Sequence, residues 1–238
     1  MAISASDLRG AGERAFYAWG AAVIVLTAFF GFARTYYLKA AFDSPSLSTL
    51  LLVHAALMTT WVILFTTQTR LIAARRIDLH RRLGVFGAAL LVAIAVVGVL
   101  AAIESARNGL TIGDMPPLVF LVLPLGTVLV FVVLAGTAIF YRRRSDIHKR
   151  LMLLATLSIL TPAIARIPWA AFRAMGPPLF IGLTDAIVLA FVAYDTVKNR
   201  RLHPAFGWGT LFLLASQPLR MLFAHTSVWT EFATWLTR

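Results

Sequence analysis

The residues best suited to chemistry in this chain are two histidines set in matching strings. Residues 75–83 read Arg-Arg-Ile-Asp-Leu-His-Arg-Arg-Leu, and residues 143–151 read Arg-Arg-Ser-Asp-Ile-His-Lys-Arg-Leu. A constant offset of 68 pairs Asp78 with Asp146, His80 with His148 and Leu83 with Leu151, and it also pairs Thr69 with Thr137 upstream. Imidazole is the common axial ligand of a b-type haem and a proton carrier near neutral pH. Two histidines at one depth on related elements could face one iron. The plainer reading competes with it: Asp78 and Asp146 cap the helices that follow, and the surrounding arginines meet lipid phosphates. Cysteine is absent, which removes disulfides, iron–sulfur clusters, thiolate zinc and covalent haem attachment. Haem iron is the only metal these residues suggest.

A second group consists of charged and polar residues inside apolar stretches, where each ionised side chain costs a few kcal/mol and so marks a functional hypothesis. At about 1.5 Å per helical residue, His54, Arg166, Asp185 and Arg220 all fall roughly 7–9 Å below one membrane face. Arg34 and His225 reach the same layer, and Gln217 adds an amide. Asp185 is expected to pair with Arg166 or Arg220, since either charge alone is costly. Two arginines against one aspartate leave a positive remainder that wants an anion or a carbonyl. Pro162 and Pro168 flank Arg166, and Pro218 precedes Arg220 by two residues. Each proline removes a helix hydrogen bond, so irregular, cavity-forming backbone is expected there. His54, Leu57, Met58 and Trp61 share one helix face with Gln68 two turns on. A structural ion-pair network for the layer, and a carbonyl-bonded His54, are the competing readings.

The elements that must carry these residues are membrane helices. The chain has 238 residues and is 60% hydrophobic and 13% charged, with a formal net charge of +12; its mean hydropathy is +0.82. Soluble chains average about 45–50% apolar and about 25% charged. Seven stretches reach spanning length, at approximately 15–37, 49–69, 84–103, 117–141, 151–172, 179–197 and 205–226. The first is read as a retained anchor rather than a signal peptide. With seven crossings, fifteen of the 22 lysines and arginines fall on one side, against Lys39, Arg107, Arg173 and Arg238 on the other. The positive-inside rule then places the N-terminus in the cytoplasm and the C-terminus outside. The basic excess is thereby a topology signal facing anionic lipid, not a nucleic-acid patch. Each matching string joins two helices, so helices two–three and four–five are expected to be repeated hairpins of one orientation. Residues 227–238 place Trp229, Phe232, Trp235 and Leu236 on one face, which suits an interfacial helix. The expected fold is an all-α, seven-helix membrane bundle in one domain, in a bacterial inner membrane.

The string from His54 to Trp61, then Gln68, then Asp78-Leu79-His80-Arg81-Arg82-Leu83-Gly84, and later His148-Lys149-Arg150-Leu151-Met152 and Gln217-Pro218-Leu219-Arg220, resembles a family of bacterial multi-pass membrane proteins with no assigned activity. Members often carry His-Gly at the helix-two position, where this chain has His54-Ala55. The His-Lys-Arg-Leu-Met string is also similar to small membrane proteins implicated in cytochrome oxidase assembly. The Leu-His-Arg string is similar to haem-ligating helices of ferric-reductase-type membrane proteins. These resemblances imply haem-linked or respiratory work.

Three functions follow from the residues. One is a haem-linked redox or respiratory accessory or assembly protein, with His54 and His225 as one ligand pair and His80 and His148 as another. It would have a respiratory complex or a second copy as partner. Another is binding or transport of a small anion or lipid through Arg34, Arg166 and Arg220. The last is a purely structural subunit. No Gly-rich phosphate loop is present, and no serine or acidic pair has a base placed for ordinary hydrolysis. An intramembrane lipid enzyme using His54 or Asp185 is left open by the residues.

Overall fold

A computed structural model describes residues 5–110, 115–169 and 175–238, with side chains from residue 12 onward. Arg173 and the side chain of Arg9, both counted in the topology argument, lie outside that description. The described residues are helical, with no strand among them. The helices are α1 (Ala5–Phe32), α2 (Thr49–Ala73), α3 (Ile77–Arg107), α4 (Pro117–Phe120), α5 (Val122–Phe140), α6 (Ser145–Ser158), α7 (Thr161–Ile164), α8 (Pro177–Asn199), α9 (Pro204–Ala224) and α10 (Ser227–Leu236).

Six segments are long and apolar enough to cross a bilayer: Gly12–Tyr37, Thr49–Ala73, Ile77–Arg107, Pro117–Phe140, Ser145–Ile164 and Pro177–Asn199. Large apolar side chains such as Trp19, Phe30, Ile63, Val85 and Leu129 point outward. These are the dimensions and the surface of an integral membrane protein. The seventh expected span, α9, forms a helix but is not among the six, because Ser216, Gln217, Pro218 and Arg220 load its C-terminal half with polar groups.

α6 is the centre of the bundle. Leu153, Leu154, Ala155, Thr156 and Leu157 have no exposed surface, and α1, α5, α8 and α9 all pack on it. α2 and α3 form a tight hairpin on one side of this core, joined by three residues with Arg75 in the left-handed region at φ 59°. α5 and α6 form the second hairpin. Trp61 of α2 reaches the core, stacking edge-on against Phe131 at 4.9 Å and donating from Nε1 to Thr156 Oγ1 at 3.3 Å.

Several expected helix limits are corrected. α3 begins at Ile77 rather than 84, and α6 at Ser145 rather than 151. The helix caps are therefore Arg76 and Arg144, without side-chain cap bonds, and Asp78 and Asp146 lie in the first turn. There a carboxylate acts on the helix dipole instead of capping. The fourth stretch is divided into α4 and α5, with Pro124 unable to donate to Phe120. The fifth is interrupted: α6 ends at Ser158, the carbonyl that Pro162 cannot bond, α7 ends at Ile164, and residues 165–169 are not helical. α1 runs into a π-helical turn at Ala33–Tyr37. The C-terminal tail is helical as expected, over Ser227–Leu236. Trp229 and Ala233 are buried against Leu121, Val122 and Ala224, while Phe232 and Trp235 stay exposed.

Candidate functional site

The two matching histidines meet. His80 stands in the second turn formed by α3, and Gln68 of α2 donates from Nε2 to its carbonyl at 3.1 Å. His148 occupies the equivalent place on α6, and its Nδ1 donates to Ala138 O of α5 at 2.8 Å. A carbonyl only accepts, so this bond puts the proton on Nδ1 and leaves Nε2 as the lone-pair nitrogen. The ring centroids are 6.3 Å apart with planes at 82°. Two further groups here are buried without a hydrogen-bond partner: His80 Nδ1 and Gln68 Oε1. No group of three or more His, Cys, Asp or Glu side chains suited to a metal ion occurs among the described residues.

Two residues further along α6 lies a site that the residue pattern alone did not disclose. Arg150, counted from the sequence as one of many surface cations, is buried. It forms a two-pronged ion pair with Asp195 of α8, Nε to Oδ2 at 3.0 Å and a terminal nitrogen to Oδ1 at 2.8 Å. Its other terminal nitrogen donates to Asp146 O at 3.0 Å, and its guanidinium carbon lies 5.7 Å from the Phe206 ring centroid. The available signal was Asp195 itself, an acidic residue at the end of a helix on a side otherwise crowded with cations.

Beside this pair, His203 caps α9 by accepting from Ala205 N at its Nδ1, 3.2 Å away. The accepting Nδ1 puts the ring proton on Nε2, which faces Asp146 Oδ2 at 3.3 Å. Burial, followed by the nearby Arg150 charge, holds the His203 pKa below its usual value, and hydrogen bonding to Asp146 opposes them. Asp146, Arg150, Asn199, Arg201 and His203 line a cavity of about 410 Å³. The tyrosine hydroxyl of Tyr17, from α1, is buried without a hydrogen-bond partner, within electrostatic reach of Arg150 and Asp195.

The layer at the other ends of the helices differs from expectation. Asp185 pairs with neither arginine; its Oδ1 accepts from Gln217 Nε2 at 2.7 Å. Each arginine is held by backbone or an aromatic face instead. Arg166 donates to Pro162 O at 2.9 Å and lies over Phe32 at 5.1 Å. That carbonyl is left over because the Arg166 amide bonds Ala163 O as the helix ends. Arg220 donates to Ser216 O at 3.0 Å, Leu123 O at 3.2 Å, and the hydroxyls of Thr127 and Ser216 at 3.3 Å each. Its stem passes over Gly126, where an added Cβ would lie 1.9 Å from Arg220 Cδ. Arg34 lies over Phe42 at 5.1 Å.

The other ligand pair is not assembled. His225 is exposed at the end of α9, its Nδ1 on Met221 O at 2.7 Å. His54 packs beside Gly98 of α3. Its Nδ1 is buried without a partner, so the expected carbonyl bond is absent as well. No hydrogen bond or ring contact joins His54 to His225 among the described residues.

No family model, curated protein or solved structure matches this chain.

Proposed function

We propose that this is a seven-span protein of the bacterial inner membrane, N-terminus inside, that carries a b-type haem at His80 and His148. Its role would be haem-linked redox work, as an accessory or assembly protein of a respiratory complex. The observation that supports it is the meeting of the two equivalent imidazoles, 6.3 Å apart. The donor set suits the group: His148 has Nδ1 tied to a carbonyl, the second-shell arrangement that frees Nε2 for a metal. His80 adds a second imidazole with an unpartnered Nδ1, and the cations Arg81 and Arg144 share this end of the bundle. Bound haem would supply one-electron transfer. The protein would supply the two ligands, orient the His148 ring through Ala138, fix the His80 backbone through Gln68, and offer cations to the propionates. The α2–α3 and α5–α6 hairpins are read as two copies of one unit, with an axis along the membrane normal between the histidines. The excess of arginine at the two hairpin turns supports the cytoplasmic assignment of this end.

The test is an absorption spectrum of detergent-purified protein after haem supplementation, oxidised and dithionite-reduced. Sharp b-type bands are expected, lost in His80→Ala and in His148→Ala and kept in His225→Ala. A flat spectrum for the parent protein would overturn the proposal.

A further inference from the structure

A second site runs along α9 and rests on none of the histidines. Leu129 of α5 and the Trp208–Phe223 face of α9 line a groove of about 400 Å³. Its walls are almost wholly apolar, from Leu129, Trp208, Phe212, Ala215 and Leu219; Ser216 and Arg220 supply the polar end. From Trp208 to Phe223 the groove follows α9 for roughly 22 Å at about 1.5 Å per residue. That is the scale of an extended lipid chain.

Arg220 is the unusual feature. It is half-buried, and in the described residues it makes no ion pair. Asp185 attracts it only at a distance, since that carboxylate is turned to Gln217. Neutral carbonyls and hydroxyls take four hydrogen bonds from Arg220. A guanidinium has five N–H groups, so one donor is left over. A cation held against hydrocarbon with only neutral partners is improved most by an anion within contact. Gly126 is what allows the side chain to sit there, because any larger residue would occupy the space of its stem.

We infer that the α5–α9 groove binds a membrane lipid with an anionic head, the head on Arg220 and Ser216 and one chain lying along α9 toward Trp208. The argument is charge complementarity at one end of a groove whose remaining walls offer only apolar contact.

The experiment titrates phosphatidylglycerol, phosphatidylcholine and inorganic phosphate separately into delipidated protein in neutral detergent and follows the thermal midpoint. Phosphatidylglycerol is expected to raise the midpoint and to bind about tenfold tighter than phosphatidylcholine, the scale of one charge-assisted bond. Inorganic phosphate should give no shift, and Arg220→Gln should remove the preference for the anionic lipid. Ala215→Trp fills the groove while leaving the guanidinium in place, and it should weaken phosphatidylglycerol binding even if Arg220→Gln fails to fold. Equal shifts from the two lipids would refute the anionic head. A full shift from inorganic phosphate alone would refute the lipid chain, and unchanged phosphatidylglycerol binding in Ala215→Trp would refute the groove.

Discussion

Asp195→Ala is the substitution whose cost the geometry defines best. Arg150 and Asp195 are joined by two bonds of 2.8 and 3.0 Å, and their side chains are 9% and 8% exposed. With charge centres about 4 Å apart and an effective dielectric near 20, their attraction is about 4 kcal/mol. Removing the carboxylate forfeits that attraction and leaves a guanidinium enclosed by Phe206 and the first turn of α6. Breaking a buried pair from one side costs about 3–5 kcal/mol. Here the lower end applies, because Arg150 keeps Asp146 O and borders the cavity. Replacing both partners, Arg150→Met with Asp195→Leu, should fall within about 1–2 kcal/mol of the parent, since an apolar pair needs no compensation. The assay is reversible denaturant unfolding in mixed micelles, run as a double-mutant cycle. A single-mutant loss below about 1 kcal/mol would refute the reasoning, as would strictly additive effects of the two sites.

Two glycines on α5 separate close approach from mere flexibility. Gly126→Ala should lower stability by about 1–3 kcal/mol, the usual cost of overpacking, because its Cβ would meet the Arg220 stem. Gly136→Ala on the same helix meets nothing within 4 Å and should be neutral or slightly stabilising; equal losses in thermal unfolding would remove the close-approach argument. The His203 cap predicts a pH dependence. Its folded pKa lies below the ordinary 6.5, so the unfolded chain binds more protons and stability falls as pH drops from about 7 toward about 5. Protonation also turns Nδ1 from an acceptor into a donor facing the Ala205 amide. His203→Asn keeps a capping oxygen without the titration, so its thermal midpoint should drop less over this range; identical slopes would exclude the mechanism.

The membrane class was legible because hydropathy reports it directly: six of the seven expected stretches are helices of spanning length. What hydropathy reports is the greasy part of a helix, not the helix. α3 and α6 therefore start within their charged strings, and two aspartates expected as caps lie inside the first turn. Proline showed where α6 would break but not that residues 165–169 would leave the helix altogether. Depth along the chain was the basis for grouping the polar residues of the outer layer, yet depth says nothing about rotation around each helix axis. Rotation decided that Asp185 would meet Gln217, and that the carboxylate meeting an arginine would be Asp195. The pairing of His80 with His148 was readable because the same offset relates both turns, so matching depth came with matching orientation.

The two Asp-x-His strings also show how one pattern acquires different duties by position. Arg82 and Arg150 occupy equivalent places, but Arg82 is exposed while Arg150 is buried. The difference lies in what surrounds each hairpin. α3 packs on α2 and α5, whereas α6 is wrapped by α1, α5, α8 and α9. A cation on the enclosed helix had to acquire a carboxylate, and α8 supplies it. As a result, residues 146–150 tie α6 to three neighbours: Asp146 to α9 through His203, His148 to α5 through Ala138, and Arg150 to α8 through Asp195. His148 is thereby held from both sides along its own helix, whereas the described bond at His80 reaches only its backbone, from Gln68. Of the two facing imidazoles, then, one is fixed by the bundle and the other has a ring nitrogen still to satisfy.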